Sequence, residues 1–389
     1  MLTLLTAQPV MPTPTLPLEL IDRILLEDVL SDKDLAACCL LSKAVLPFAR
    51  RALYVHVIVE LDESTRGGDF YNLVTPPQPS AIFSHRHLGP LVREFTLSVV
   101  PASRASLRAN EPMFPWLLQN VLIRWEGVTT VKLDSCVRAN LADWFLKQPH
   151  TLSRLESLAL NAETPVYALL PYLPNLKHFH LEAGGRAFPS PPSSLSPIPT
   201  LSTFTLKSVH TSSAQRSPET LSATVTKLIA PRSPLLRAVG LPFEILSAAS
   251  TVLSSLPDLA KLEIGLAAHT QPANVANMLV PFLPKLRSLS TLSFHGSHSA
   301  ATLNLRGTHP LAESTFIASF PPTLFRLNFR ETLNPNEALD LVRNLSGSCV
   351  GAVGMQYVSP GAISHDTLSA ACETDGIAYY RLEDGEGAA

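Results

Sequence analysis

Leu155-Glu156-Ser157-Leu158-Ala159-Leu160 decides how the rest of this chain is read. An apolar residue is followed by two variable ones, a second apolar residue, one variable residue and a third apolar one. The last two apolar residues are two apart, which places both on one face of a short strand. One such hexamer is noise. The spacing recurs upstream at Tyr54/Val57/Val59, Val92/Phe95/Leu97 and Val128/Val131/Leu133. Downstream it appears at Leu176/Phe179/Leu181, Leu201/Phe204/Leu206, Leu236/Val239/Leu241, Leu259/Leu262/Ile264, Leu289/Leu292/Phe294 and Leu324/Leu327/Phe329. Val350/Val353/Met355 and Ile377/Tyr380/Leu382 are weaker late copies. From Val92 on, successive copies lie about 21 to 36 residues apart, a period typical of repeat architectures. Stacked units of this kind form a parallel sheet whose inward residues fill one continuous core.

The segments between copies supply the other wall. Residues 219–230, 244–256, 274–283 and 335–345 carry apolar stripes at helical spacing. Residues 67–89, 184–199, 211–218 and 296–310 are rich in Gly, Pro, Ser, Thr or His and read as loop insertions, candidates for target contact. Polar residues alternate with the apolar strand positions. Lys132, Asp134, Asn161, His178, His180, Glu182, Lys207, Lys261, Glu263, His295, Arg326, Asn328 and Arg330 are therefore expected on the solvated, concave side of the sheet.

Ahead of the repeats the pattern is helical. In Leu16-Pro17-Leu18-Glu19-Leu20-Ile21-Asp22-Arg23-Ile24-Leu25, Pro17 suits a first turn, where its missing N–H costs no bond. Glu19 there complements the helix dipole. Leu20, Ile21, Ile24, Leu25 and Val29 make one broad apolar arc, with Leu26 and Leu30 on the other side. So apolar a helix must bury more than one face. Ser31-Asp32-Lys33-Asp34 has the spacing of a capping box and opens a second helix through Leu35 to Cys39. A third helix, opened at Ser42 or at Leu46-Pro47, runs to Tyr54, since Pro47 forbids an unbroken helix across 42–54. Three helices in about forty residues bury little area and need support from a neighbour.

Leu16-Pro17-x-Glu19-Leu20-Ile21, Ile24, Asp34-Leu35, Leu41-Ser42-Lys43 and Phe48-Ala49 together resemble the F-box, a helical motif that docks onto a Skp-family adaptor. The match covers residues 14–54; it departs at Val45, where the family usually has a bulky aromatic. Residues 55–384 resemble the leucine-rich-repeat horseshoe. That family normally places Asn or Cys three residues after the final apolar position, and only Cys136 satisfies this, so the repeats are irregular. The expected fold class is α/β: a three-helix F-box-like head at 14–54, then an irregular leucine-rich-repeat solenoid with a parallel concave sheet, with disordered tails at 1–13 and 385–389. The resemblance implies a substrate-recognition subunit of an SCF-type cullin–RING ubiquitin ligase. Its adaptor contacts would come from Leu16, Pro17, Leu20, Ile21, Ile24, Leu25 and Leu35. Its protein target would be held by Lys132, Asp134, His178, His180, Glu182, Lys207, Lys261, Glu263, Arg326 and Arg330.

Bulk properties agree with a filled core. Of 389 residues 46% are hydrophobic and 16% charged, against a usual quarter charged. The net charge of −2 gives no electrostatic case for nucleic acid or an anionic membrane. Five cysteines without framework spacing, Cys38 and Cys39 adjacent, fit a reduced cytoplasmic or nuclear setting. No signal peptide or membrane span is expected.

No catalytic constellation is visible: no phosphate-binding glycine loop after a strand and no nucleophile elbow. His178, His180 and Glu182, with His295 and His298 in the tally, invite a metal reading, yet a solvated strand face explains them as well. The expectation is a non-enzymatic chain without cofactor or metal. The other reading kept open is a leucine-rich-repeat scaffold whose helical head only caps the first repeat; co-purification with a Skp-family adaptor separates the two.

Overall fold

The computed structural model describes residues 16–26, 30–61, 86–99, 125–133, 149–161, 166–183, 191–193, 197–208, 218–229, 233–266, 270, 272–296, 313–333, 335–358 and 364–382. The terminal tails, Val29, Asp134, Cys136, His85, His298 and most of the expected loop insertions lie outside these residues.

The chain opens with three short helices. Helix α1 spans Leu18–Leu26, and the carbonyl of Pro17 accepts its first N–H bonds, from Leu20 at 3.0 Å and Ile21 at 3.2 Å. Helix α2, Asp32–Cys38, starts in the expected capping box. The Asp34 N–H donates to Ser31 Oγ at 3.3 Å, and the Ser31 N–H donates back to Asp34 Oδ2 at 3.1 Å. Helix α3 is Leu46–Val55, with Pro47 in its first turn and Ser42 Oγ accepting from the Val45 N–H just before it. Leu25, Leu35, Ala49 and Ala52 form the centre of a small core, ringed by Ile21, Leu30, Cys38, Cys39, Val45, Phe48 and Leu53. An Arg51–Asp22 ion pair ties α3 to α1.

Helix α3 runs directly into strand β1, His56–Leu61, with no residue between them. Eleven further strands follow: β2 (Glu94–Val99), β3 (Thr130–Leu133), β4 (Ser157–Asn161), β5 (His178–Ala183), β6 (Thr203–Ser208), β7 (Ala238–Pro242), β8 (Lys261–Gly265), β9 (Thr291–His295), β10 (Arg326–Leu333), β11 (Ala352–Val358) and β12 (Ala378–Arg381). They form one 12-stranded sheet in strict chain order, every pairing parallel. Each copy of the hexamer supplies one strand.

The inward rows are almost dry. Val57, Phe95, Val131, Leu158, Phe179, Phe204, Val239, Leu262, Leu292, Leu327 and Val353 are all at most 1% exposed. Within them Phe179 meets Phe204 across adjacent strands, and Phe294 stacks on Phe329 at 5.4 Å between centroids. The last copy is out of register with its expected pattern. Tyr379, not Tyr380, pairs with Val353 and packs against the core, while Tyr380 pairs with Gly354 on the opposite face. Ile377 and Leu382 are buried as expected.

The outer wall is helical where the apolar stripes placed it: Pro218–Leu228, Phe243–Ser254, Pro272–Leu279 and Pro335–Leu345. The third ends four residues short of its expected boundary. Pro281 and Pro284 cannot continue an α-helix, and a 3-10 turn at Leu283–Lys285 replaces its last turn. A further helix, His365–Thr374, capped by Ser364, was not legible as a stripe. Among the described residues no helix is long and apolar enough to cross a membrane.

Two hydrogen-bond ladders hold successive repeats at the strand entrance. In the backbone ladder, one carbonyl takes two N–H groups from the next repeat: Arg93 from Thr129 and Thr130, Glu156 from Lys177 and His178, Ser290 from Phe325 and Arg326. The second uses the residue just before the first apolar position. Arg154 donates to the Trp125 carbonyl, Asn175 to Ser153, Thr200 to Leu176, Ser288 to Pro257, Thr323 to Leu289 and Cys349 to Pro321. Each step reaches one repeat back. Six of these irregular repeats thus tie their coils at the strand entrance with differing side-chain donors, whereas Gly127 and Leu235 offer none at the same position. Thr323→Val keeps the shape and removes the hydroxyl, so it is expected to cost about 1 kcal/mol in chemical denaturation. An unchanged denaturation midpoint would mean that the ladder adds nothing to the backbone bonds.

Candidate protein-interaction surfaces

The head leaves part of its apolar surface uncovered. Leu16, Leu20 and Ile24 are 52%, 46% and 50% exposed, and Leu18, Leu26, Leu40 and Leu41 are exposed as well. Pro17 is exposed and Ile21 half-buried against the small core. Leu25 and Leu35, expected among the adaptor contacts, are 6% and 7% exposed and serve as the centre of that core. A three-helix unit has room for only one row of each helix. In α1 that row is Ile21 and Leu25, four apart, so Leu20 and Ile24 turn outward with Leu16. Sequence reasoning passed over Leu18 and Leu40, and set Leu26 apart from the apolar arc; the signal available was simply more large apolar residues than a core of this size can take.

The other surface is the open face of the sheet, opposite the helices. Register sorts its residues into rows. The centre row runs Ile58, Thr96, Lys132, Ala159, His180, Thr205, Gly240, Glu263, Ser293, Asn328, Gly354, Tyr380. The entry row includes His56, Glu94, His178, Lys261 and Arg326, and the exit row includes Glu182, Lys207, Gly265, His295 and Arg330. All the expected target-binding residues among those described thus lie on this one face.

Charged side chains on this face meet one another, across strands at Lys132–Glu94 and within β8 at Lys261–Glu263. Lys132 Nζ lies 2.7 Å from Glu94 Oε1, and His56 Nε2 is 3.3 Å from the same oxygen. Lys261 Nζ is 2.9 Å from Glu263 Oε1, and His295 Nε2 is 3.6 Å from Glu263 Oε2. Burial pushes both His180 and His295 down to about 4, so both rings are neutral at pH 7. His178 and His180 do share a face, but His178 stays exposed while His180 is partly covered. Among the described residues no group of three His, Cys, Asp or Glu is placed to hold a metal ion.

At the far end the face is closed by its own side chains. Asn328 donates from Nδ2 to Ser293 Oγ at 3.1 Å, and Tyr380 OH donates to Asn328 Oδ1. The Tyr380 ring lies over Gly354, and the Arg326 guanidinium stands 5.0 Å above that ring. Arg326 therefore has an internal partner as well as a place on the surface. A Cβ at Gly354 would fall 2.6 Å from Tyr380 Cε2 and 2.9 Å from Asn328 Oδ1. Gly354→Ala must push the ring away and break that hydrogen bond, at an expected cost of about 1–3 kcal/mol in thermal or chemical unfolding. A fully stable variant would show that the ring packs there without consequence.

The repeats, the single parallel sheet and the outer helices define an irregular leucine-rich-repeat solenoid carrying a three-helix head. No family model matches the chain, nor does any curated protein. Among solved structures it is similar to the leucine-rich repeat-containing protein LegL7 from Legionella pneumophila, at 14% identity and a TM-score of 0.44, covering 85% of this chain and 91% of that one. It is also similar to a protein from Bacteroides fragilis, at 13% identity and a TM-score of 0.34, covering 78% of this chain and 68% of that one.

Proposed function

We propose that this chain is a non-catalytic receptor that bridges two proteins. Its head docks as an F-box onto a Skp-family adaptor, and through it a cullin, while the open face of the solenoid holds a protein target. The chain would then be the substrate-recognition subunit of an SCF-type ubiquitin ligase. The observation that carries this reading is the outward row of α1: Leu16, Leu20 and Ile24 stay in solvent although the head has a closed core of its own. Capping does not use that row, since α3 is the helix that packs against β1 and the turn at Arg86–Leu91. An exposed apolar helix face of this kind fits a groove on a partner.

The direct passage from α3 into β1 supports the mechanism. A head joined to a solenoid without a linker holds target and adaptor at a set separation, which raises the local concentration of target lysines near a charged ubiquitin-conjugating enzyme. Val45, where the F-box family usually carries an aromatic, packs toward the head core, so its small size alters the interior more than the docking surface. Calorimetric titration of the full chain with a purified Skp-family adaptor tests the reading. Micromolar or tighter binding is expected. No heat at high micromolar concentration, with circular dichroism showing folded protein, would sink the ligase and leave a leucine-rich-repeat scaffold.

A further inference from the structure

The outward row of α1 follows directly on an apolar stretch of the chain. Leu20 and Ile24 stand four apart on the helix, and Leu16 continues the row at its entrance. All three are exposed, and with Leu18, Leu26, Leu40 and Leu41 they leave the small head with more apolar surface in water than its core holds. Soluble proteins seldom keep such a surface open without an occupant. The fifteen residues that precede Leu16 include Leu2, Leu4, Leu5, Val10 and Met11 and hold no Asp, Glu, Lys or Arg. They lie outside the described residues. Segments that remain solvated are usually poor in apolar residues and rich in charge, the reverse of this composition.

Reach and charge both allow this stretch to turn back onto the row. At the rise of an α-helix the eight steps from Leu16 to Ile24 cover about 12 Å. Residues 6–15 join Leu5 to Leu16, and ten extended residues span up to about 33 Å. Pro9, Pro12 and Pro14 within that connector disfavour a helix, which would shorten the reach. Glu19 and Arg23 stand exposed on α1 with charges of opposite sign, and an uncharged segment can lie near both without meeting a like charge.

We propose that in the free protein Leu4 and Leu5 fold back onto Leu16, Leu20 and Ile24 as a reversible cover, which a Skp-family adaptor displaces. The cover itself rests on the exposed row; its control of docking rests on the reading of the head as an adaptor-binding module. Tethering supplies an effective concentration on the order of millimolar, so a contact too weak to hold two separate molecules suffices here. A second copy of the chain is the other possible occupant, but it would have to bind from a far lower bulk concentration. Because the adaptor meets only the uncovered fraction, its apparent affinity falls in proportion to that fraction. The segment lies on the head and not in its core, so lifting it leaves the melting temperature where it was.

Two measurements on the full chain test this. In the first, the photo-crosslinker p-benzoylphenylalanine replaces Leu4, and the protein is irradiated alone at low concentration. Mass spectrometry is expected to place the crosslinks within the same molecule, on Leu16–Leu26, and Leu20→Asp with Ile24→Asp should abolish them. In the second, a purified Skp-family adaptor is titrated into wild type and variants. Leu4→Asp with Leu5→Asp should bind at least about threefold more tightly than wild type, because the row is then always open. Thr3→Asp with Thr6→Asp adds the same charge without removing an apolar side chain and should bind as wild type does. Crosslinks only outside α1, crosslinks only between molecules, or equal adaptor affinity of wild type and the Leu4→Asp/Leu5→Asp protein would each overturn the proposal. If no sample binds the adaptor, the ligase reading falls and the crosslinks alone decide whether the cover exists.

Discussion

Leu20→Asp together with Ile24→Asp is expected to abolish binding to a Skp-family adaptor while the melting temperature of the chain stays where it was. Both side chains are about half exposed and neither belongs to the head core, so a charge at either position remains solvated in the free protein. In a complex the same charges would be buried in an apolar groove. Truncating a central apolar anchor costs about 2 kcal/mol or more, so two together amount to roughly a thousandfold in affinity. Leu16→Ala with Pro17→Ala should act in the same direction more mildly. Leu25→Asp is the contrasting control: it strikes the core and should melt the head itself. Adaptor capture by a folded Leu20→Asp/Ile24→Asp protein would show that α1 is not the docking face.

The second large effect is expected in the solenoid. Phe294→Ala should destabilise the chain by about 3–5 kcal/mol, measured by chemical denaturation. Phe294 is fully buried, stacks on Phe329 of the next strand and meets Phe316, which in turn packs edge-on against Phe320 at 5.0 Å. Removing its ring opens a cavity that the sheet on one side and the outer wall on the other cannot both collapse into. Leu158→Ala and Leu262→Ala should cost about 2–5 kcal/mol by the same argument. Because each repeat leans only on its neighbours, Phe294→Ala should also broaden the transition, as the C-terminal strands uncouple from the rest. A loss under about 1 kcal/mol would mean that this aromatic cluster is not the well-packed core its burial implies.

Much of this was legible in the sequence because it follows from local spacing. Two apolar residues two apart share a strand face, so the inward rows of every copy but the last could be named from the hexamers alone. The capping box at Ser31 and the helix start at Pro47 are likewise set by residues within one turn. So is the assignment of His180, Glu263 and Arg330 to the opposite face.

What lay between repeats was not legible. The Glu94–Lys132 contact and the Asn328–Ser293 hydrogen bond join residues separated by loops of differing length, and no spacing in the chain encodes them. In α1 the apolar arc is wider than the core it serves. Only the packing of α3 against it decided that Ile21 and Leu25 turn in and Leu20 and Ile24 out. The last strand shows the division most clearly. Tyr379 and Tyr380 are adjacent tyrosines; the hexamer spacing puts Tyr380 inward, whereas in the structure Tyr379 faces the core. Tertiary structure settled the choice: Gly354 on the neighbouring strand leaves room for one ring, Asn328 offers it an acceptor and Arg326 covers it, while His365 takes the hydroxyl of the other.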